Sequence, residues 1–363
     1  VLPGFAHLHT VSGFSLRYGA SHPERLAERA SERGMDALAL TDRDSLGGAV
    51  RFAKACAAAG VRPLFGVELA VEEFEFGVSG AGRRRAPVRG GAFVHESAPR
   101  VTFLARDGGR GWADLCRIVS AAHAGEGPPL LSRGDNRGDG LIVLLGVESD
   151  VGRALAAGRP DRATRLLEPW REIYGDSLRL EAVWHGRQGT GPGSLRLAAR
   201  TVGFAAEQRV RPVLSNAVRY ADPGLGPVVD VLDAARRLVP IDPTKELDSG
   251  EAWLKGAGEM ARVAERVVEA AGFRVMPRTG CWSRPGPLPP SVLSIPRTIS
   301  VSAPFTSLSR ISSGPGSAPP SGRSPHGRWP AWCGAAMTGG GRTGSGCTRS
   351  RTSSPITGSP LIS

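Results

Sequence analysis

Residues 5–10, Phe5-Ala6-His7-Leu8-His9-Thr10, read as a short apolar strand that delivers two imidazoles at its end. Side chains alternate along a strand, so His7 and His9 are expected on the same side. Two neutral imidazoles aimed at one point form a metal chelate that a phosphoester hydrolase could use. The plainer alternative is two polar residues closing a strand. Further ligands elsewhere in the chain must decide between them.

Outward from that stretch the pattern repeats. Ser21-His22-Pro23-Glu24 reads as a capping box with Pro23 at the first helical position, opening a helix that Gly34 stops. Asp36 to Thr41 is a second apolar strand with Asp42 at its exit, and a helix over about 46–59 ends at Gly60. Pro63 to Val67 is a third strand and delivers Glu68. The rhythm then breaks over about 72–100. Its glycines and the run Arg83-Arg84-Arg85 suggest a long solvent-exposed excursion, with a nucleic-acid contact as the functional alternative. Strands resume at Val101 to Ala105, Leu141 to Leu145, Leu178 to Val183 and Pro212 to Ser215, each followed by helical spacing. His185 lies just past the sixth of these strands, and a last helix is expected over about 252–271.

Seven strands alternating with helices predict an α/β fold: a parallel, seven-stranded (β/α)₇ barrel, TIM-like but one unit short. Chemistry in such barrels gathers where strands end. His7, His9, Asp42, Glu68 and His185 all fall at strand exits.

Composition narrows the classes. The chain has 363 residues and a net charge of +12, yet no Asp or Glu follows Glu269. Nine of its 46 basic residues lie after residue 275, so the first 275 residues carry only +3. The high pI therefore belongs to the tail and not to a folded basic face. Five cysteines without a C-x-x-C pair argue against a disulfide framework and a structural zinc site. No apolar run suits a membrane span or a signal peptide, so a cytoplasmic location and no membrane partner are expected.

The residues also carry a resemblance. "HLHTVSGFSLRYGASHPERLAERASERGMDALALTDRDSLGGAVRFAKA", "PLFGVE", "VTFLARDGGRGWADLCRIVSAAH", "GLIVLLG" and "PVLSNAVRYADPGLGPVVDVLDAAR" occur in order over about 1–270. Together they resemble the start of the bacterial DNA polymerase III alpha subunit, closest to its error-prone branch. That family opens with a polymerase-and-histidinol-phosphatase (PHP) barrel, whose active members hold a trinuclear metal cluster with about nine His, Asp and Glu ligands.

Carried over by position, the resemblance keeps His7, His9 and Glu68 as remnant metal ligands, with Asp42 and His185 as weaker candidates. Elsewhere the pattern is broken. The Asp of the family's SxxDGA turn is Tyr18, the His of TDH is Arg43, the His opening HLTLLA is replaced near Arg100, and the closing Asp-x-His is Ala217-Val218-Arg219. A guanidinium offers no lone pair, so Arg43 and Arg219 would oppose divalent cations and could instead pair with Asp42 or Glu68. A degenerate divalent-metal site, no bound cofactor and no catalytic residue are therefore expected.

The resemblance implies an N-terminal PHP fragment of a DNA-directed DNA polymerase acting in replication or repair synthesis. Its Mg²⁺ would belong to a palm region downstream. DNA, deoxynucleotides and replication or mutasome proteins would be partners of the full-length family, and the fragment itself is expected to be monomeric. The alternatives are a stand-alone PHP metal-dependent phosphoesterase and a basic nucleic-acid-binding protein.

The expected domains are a barrel over 1–245, a helical connection over 246–275 and a disordered Arg/Ser/Pro/Gly-rich tail over 276–363. Such acid-free composition is what a GC-rich gene yields in the wrong frame. A two-nucleotide shift with GC-rich codons lets Val275 to Arg284 read D-A-A-H-R-L-L-E-Q-T, continuing the preceding helix. The same offset restores carboxylates over Pro290 to Ser307. A frameshift near Arg274 is the expected origin of the tail.

Overall fold

The computed structural model describes residues 5–73, 98–242, 247–275 and 282–283. The tail over 284–363 and the Arg83-Arg84-Arg85 run lie outside them.

Six strands form one curled sheet in chain order: β1 (Ala37–Leu40), β2 (Arg62–Ala70), β3 (Arg100–Ala105), β4 (Leu141–Leu145), β5 (Leu178–Val183) and β6 (Arg211–Ser215). These are the second to seventh expected strands. Their near-continuous apolar runs reflect burial on both faces, as a sheet covered by helices requires. Inside the curl, small residues such as Ala37 and Ala39 pack with Leu64, Leu104, Ile142 and Leu144. Outside it, Leu38, Leu40, Phe65 and Phe103 meet the helices.

The expected first strand is not one. Residues 5–10 make a single parallel bridge, Thr10 to Val218, and no ladder. The segment nevertheless lies between the two ends of the sheet. The amides of Ala39 and Thr41 donate to the carbonyls of His7 (2.9 Å) and Thr10 (2.8 Å), and Val218 N donates to His9 O (3.0 Å). Thr10 N also donates to Thr41 Oγ1 at 3.0 Å, so a side chain takes a place in the hydrogen bonding. The result is a six-stranded sheet closed by an irregular seventh segment.

The sheet is also not fully parallel. β3 runs antiparallel to both β2 and β4, while the remaining pairs are parallel. A parallel pair needs a crossover, usually helical. Among the described residues none stands between β2 and β3, and Ala70 pairs directly with Arg100.

Helices α1 (Pro23–Glu32), α2 (Ala49–Ala59), α3 (Arg110–Ala122), α4 (Asp150–Ala156), α5 (Pro160–Tyr174), α6 (Leu195–Glu207), α7 (Gly226–Arg237) and α8 (Ala257–Ala270) cover the sheet and its ends. Pro23 does open α1, but the capping box is absent: His22 is the N-cap and makes no side-chain cap. Ser21 Oγ instead accepts from Ala221 N at 2.9 Å, fastening the entry of α1 to the chain beyond β6. Gly60 ends α2 with φ of 71°, a left-handed value that suits glycine. Met260, Val263, Val267 and Val268 of α8 pack with Ala198 and Val202 of α6. Among the described residues no helix is long and apolar enough to cross a membrane.

One buried charge in this scaffold carries a prediction. Asp150, at the start of α4, is buried, and the indole Nε1 of fully buried Trp170 donates to its Oδ1 at 3.2 Å. Burial pushes the Asp150 carboxyl up to about 6, against help from the Val151 amide and Trp170. A raised acid favours the folded state below its unfolded value of 3.8 and loses that contribution as pH rises through about 6. At pH 7 the native state therefore holds a charge it disfavours. Asp150→Asn keeps an acceptor for Trp170 and removes the charge. It is expected to gain about 2 kcal/mol at pH 7 and to raise Tm by about 4–8 °C. In a pH series of thermal melts, the gap to wild type should close below about pH 4.

Candidate functional site

The expected metal candidates lie at one end of the sheet, but each is already engaged. Glu68, in β2, is 3% exposed. Its Oε2 accepts from Arg43 Nε and its Oε1 from Arg100 Nε, both at 3.0 Å. Arg43 follows β1 and bridges to Glu68 through the backbone, while Arg100 opens β3, so neighbouring strands place both guanidiniums. Arg43 Nη2 reaches Glu148 Oε2 (3.0 Å), and Arg100 Nη2 reaches Asp44 Oδ1 (2.8 Å). Burial alone would push Glu68 up. Arg43 and Arg100, with His9, hold it well below the usual carboxylate range.

His9 stands between two carboxylates. Its Nδ1 meets Glu181 Oε1 at 2.9 Å, and its Nε2 lies 3.6 Å from Glu68 Oε2. Burial pulls the imidazolium down, but Glu181 and then Glu68 outweigh it and raise His9 to about 10. With both nitrogens protonated the ring has no lone pair for a metal. Glu181 is itself buried in β5 and also accepts from Ser215 Oγ at 2.5 Å. Gly146 makes room for it: a Cβ there would meet Glu181 Oε2 at 2.4 Å.

His7 does not join His9. Its Nε2 lies 2.7 Å from the carbonyl of Lys255, which can only accept, so that nitrogen carries the proton. Burial lowers His7 to about 4 and leaves it neutral. His7 Nδ1 is buried without a hydrogen-bond partner among the described residues. His185 behaves alike, donating from Nε2 to Asn216 O (2.8 Å), with burial lowering it to about 4. Asp42 is spent on the loop before α1. Its Oδ1 accepts from Ser12 N (2.6 Å) and Ser15 Oγ (2.7 Å), and its Oδ2 from Ser12 Oγ (2.9 Å). Burial raises its pKa more than these bonds lower it.

The residues that depart from the family pattern form a cluster of their own. The Arg43 guanidinium lies 3.3 Å from the centroid of the Tyr18 ring and that of Arg219 3.8 Å. A ring face attracts cations, so Tyr18 holds two of them where the pattern has a carboxylate. Arg219 also forms a two-point pair with Asp233, at 2.7 and 3.1 Å.

A divalent cluster does not fit these residues. One unpartnered lone pair, His7 Nδ1, is no cage. Both Glu68 oxygens face guanidiniums, His9 is held between Glu181 and Glu68, and among the described residues no group of three His, Cys, Asp or Glu is placed to hold a metal. What the arrangement can do is present fixed positive charge around a rigid carboxylate core.

Glu181, Asp44, Glu148 and Asp233 were not anticipated. For Glu181 a signal existed, a carboxylate inside the apolar strand Leu178 to Val183. The Lys255 carbonyl that takes His7 left no signal, because any residue type supplies a carbonyl.

Residues 7–183 match the PHP domain family. The error-prone DNA polymerase of Mycobacterium tuberculosis (strain ATCC 25618 / H37Rv) is 33% identical over 275 residues, 71% of this chain and 23% of that protein. The DNA polymerase III subunit alpha of Caulobacter vibrioides is 29% identical over 284 residues, 74% of this chain and 22% of that protein. A solved amidohydrolase from Chromobacterium violaceum overlaps 60% of this chain and 88% of its own, at 18% identity and a TM-score of 0.38, too loose to compare sites.

Residues 7–183 of the barrel are thus similar to the PHP domain. The barrel is homologous to the N-terminal regions of error-prone DNA polymerases and DNA polymerase III alpha subunits, and the chain spans about 23% of the length of the first of these.

Proposed function

We propose that residues 5–275 form a non-hydrolytic PHP module of an error-prone, DNA polymerase III alpha-type enzyme that serves DNA synthesis in replication or repair. The observation that carries the reading is Glu68 clasped by Arg43 and Arg100 at 3.0 Å each, which puts fixed cations where a phosphoesterase of this family needs metal. In this reading the candidate ligands His7, His9, Glu68, Asp42 and His185 are structural. Nucleotidyl transfer and its Mg²⁺ belong to sequence other than this barrel, and DNA and replication proteins are partners of the whole polymerase.

The test is metal content and hydrolysis. The purified chain, dialysed against Zn²⁺, Mn²⁺ or Mg²⁺, should retain well under one metal per chain and leave p-nitrophenyl phosphate intact. Stoichiometric metal with turnover abolished by His9→Ala would replace this reading with a phosphoesterase. Residues 276–363 are proposed to be out-of-frame sequence. Reading the gene through codon 274 decides that point. A correction of one or two bases that opens a long frame with paired aspartates supports it, and the frame as given with no polymerase reading after it in any frame counts against it.

A further inference from the structure

Beside the Glu68 pairs lies a cavity of about 660 Å³ at the barrel mouth. Its lining includes six arginines, Arg43, Arg100, Arg153, Arg219, Arg236 and Arg237, against three carboxylates, Asp44, Glu148 and Asp233. Counting Glu68 still leaves more guanidiniums than carboxylates among these residues. Four of these arginines are 11–14% exposed, so the charge is built into the wall and is not a fringe of solvated side chains. Like charge is crowded there: burial, then Arg43 and Arg237, lower the Arg236 guanidinium to about 10, which still leaves it charged at pH 7.

The guanidiniums are also pre-set. Glu68 takes Nε of both Arg43 and Arg100, Glu148 takes one Nη2 and Asp44 the other. Among the described residues, the Nη1 group of each makes no hydrogen bond. A fixed arginine fork with spare donors is the chemistry that recognises phosphate oxygens, and a low-dielectric pocket strengthens it. The volume is that of a pocket for a nucleotide-sized molecule.

We infer that the barrel mouth is a metal-free binding site for a phosphate-bearing ligand, in which Arg43 and Arg100, positioned by Glu68, supply the charge and donors that metal ions would otherwise provide. Arg236 and Arg237 extend the positive wall outward. The ligand is bound and not cleaved, because no described group is placed to activate water. Its phosphate could come from a free nucleotide or from a DNA strand end.

The inference rests on the metal-free reading of the mouth, and the experiment separates the two. The full chain in EDTA is titrated calorimetrically with inorganic phosphate, with dATP, and with a 12-nucleotide oligomer with and without a 5′-phosphate. One site per chain is expected, weakened about ten-fold by Arg100→Ala and about five-fold by Arg237→Glu. Arg237 is exposed, so that variant tests the charge without opening the buried pairs. Preference for dATP assigns a nucleotide, and binding that needs the 5′-phosphate assigns a strand end; either upholds the site. No binding of any probe at about 10 mM, with or without metal, or binding that both variants leave unchanged, overturns it. Binding that appears only after Zn²⁺ or Mn²⁺ is added overturns the metal-free reading as well.

Discussion

Glu68→Ala is expected to destabilise the barrel by about 3–5 kcal/mol, because it strands buried charge instead of merely deleting a contact. The Glu68 side chain is 4% exposed, and those of Arg43 and Arg100 are 14% and 11%. Truncation leaves the Nε of each guanidinium without its partner. Glu148 and Asp44 keep hold of the other ends, so neither arginine can swing fully into water. In urea unfolding the midpoint should fall with little change in slope, and Tm should drop by about 6–20 °C. The triple variant Glu68→Leu, Arg43→Met, Arg100→Met is the control. Replacing a buried ion triad with apolar groups of similar size is commonly neutral or stabilising. Recovery in the triple variant would show that Glu68 exists to carry the arginines. Equal loss in both would mean that its packing matters more than its charge.

The same cluster shows how much the amino-acid order reveals. His7 and His9 stood out as a His-x-His pair and Glu68 as a carboxylate ending an apolar run, although residues 5–10 form no strand and Glu68 lies inside β2. Arg43, Arg100 and Arg219 stood out as departures from a pattern. What the order does not carry is the partner of each. Glu68 meets residues 25 and 32 positions away, and His9 meets Glu181 across 172 positions. Only the curl of the sheet brings these together. The reading that His7 and His9 converge failed for a related reason. Same-side projection assumes a regular strand, whereas residues 5–10 are held by bonds to two different neighbours and by the Thr41 hydroxyl. The six laddered strands were legible because burial makes their runs mostly apolar, with polar residues such as Arg179 and Glu181 in β5 as exceptions. The reversal of β3 was half legible: the break after Glu72 was plain, but its effect on strand direction was not. The capping box at Ser21 failed because a distant amide, Ala221 N, competes for the same hydroxyl.

Gly19→Ala should be about as damaging as an opened core, at about 3 kcal/mol, although it adds only one carbon, at a buried position of the loop. A Cβ on Gly19 would stand 2.0 Å from Ser12 O and 2.4 Å from its carbonyl carbon. Both are backbone atoms, so no rotamer change relieves the contact. The loop cannot simply slide, because it is pinned at three points. Gly19 N donates to Ser15 O (3.1 Å), Ala20 N to Arg219 O (2.8 Å), and Gly13 N to Ser21 O (2.8 Å). Ser12 and Ser15 in turn hold Asp42. The strain therefore passes to Tyr18, the preceding residue, and to the two guanidiniums against its ring. Thermal melts of Gly19→Ala should show Tm lower by about 6–12 °C. In combination with Tyr18→Ala, itself milder, the losses should fall short of additive, since one displaced loop accounts for both. Full additivity would mean that Gly19 acts on Ser12 alone and that the placement of Tyr18 over Arg43 and Arg219 does not depend on the close approach of the loop.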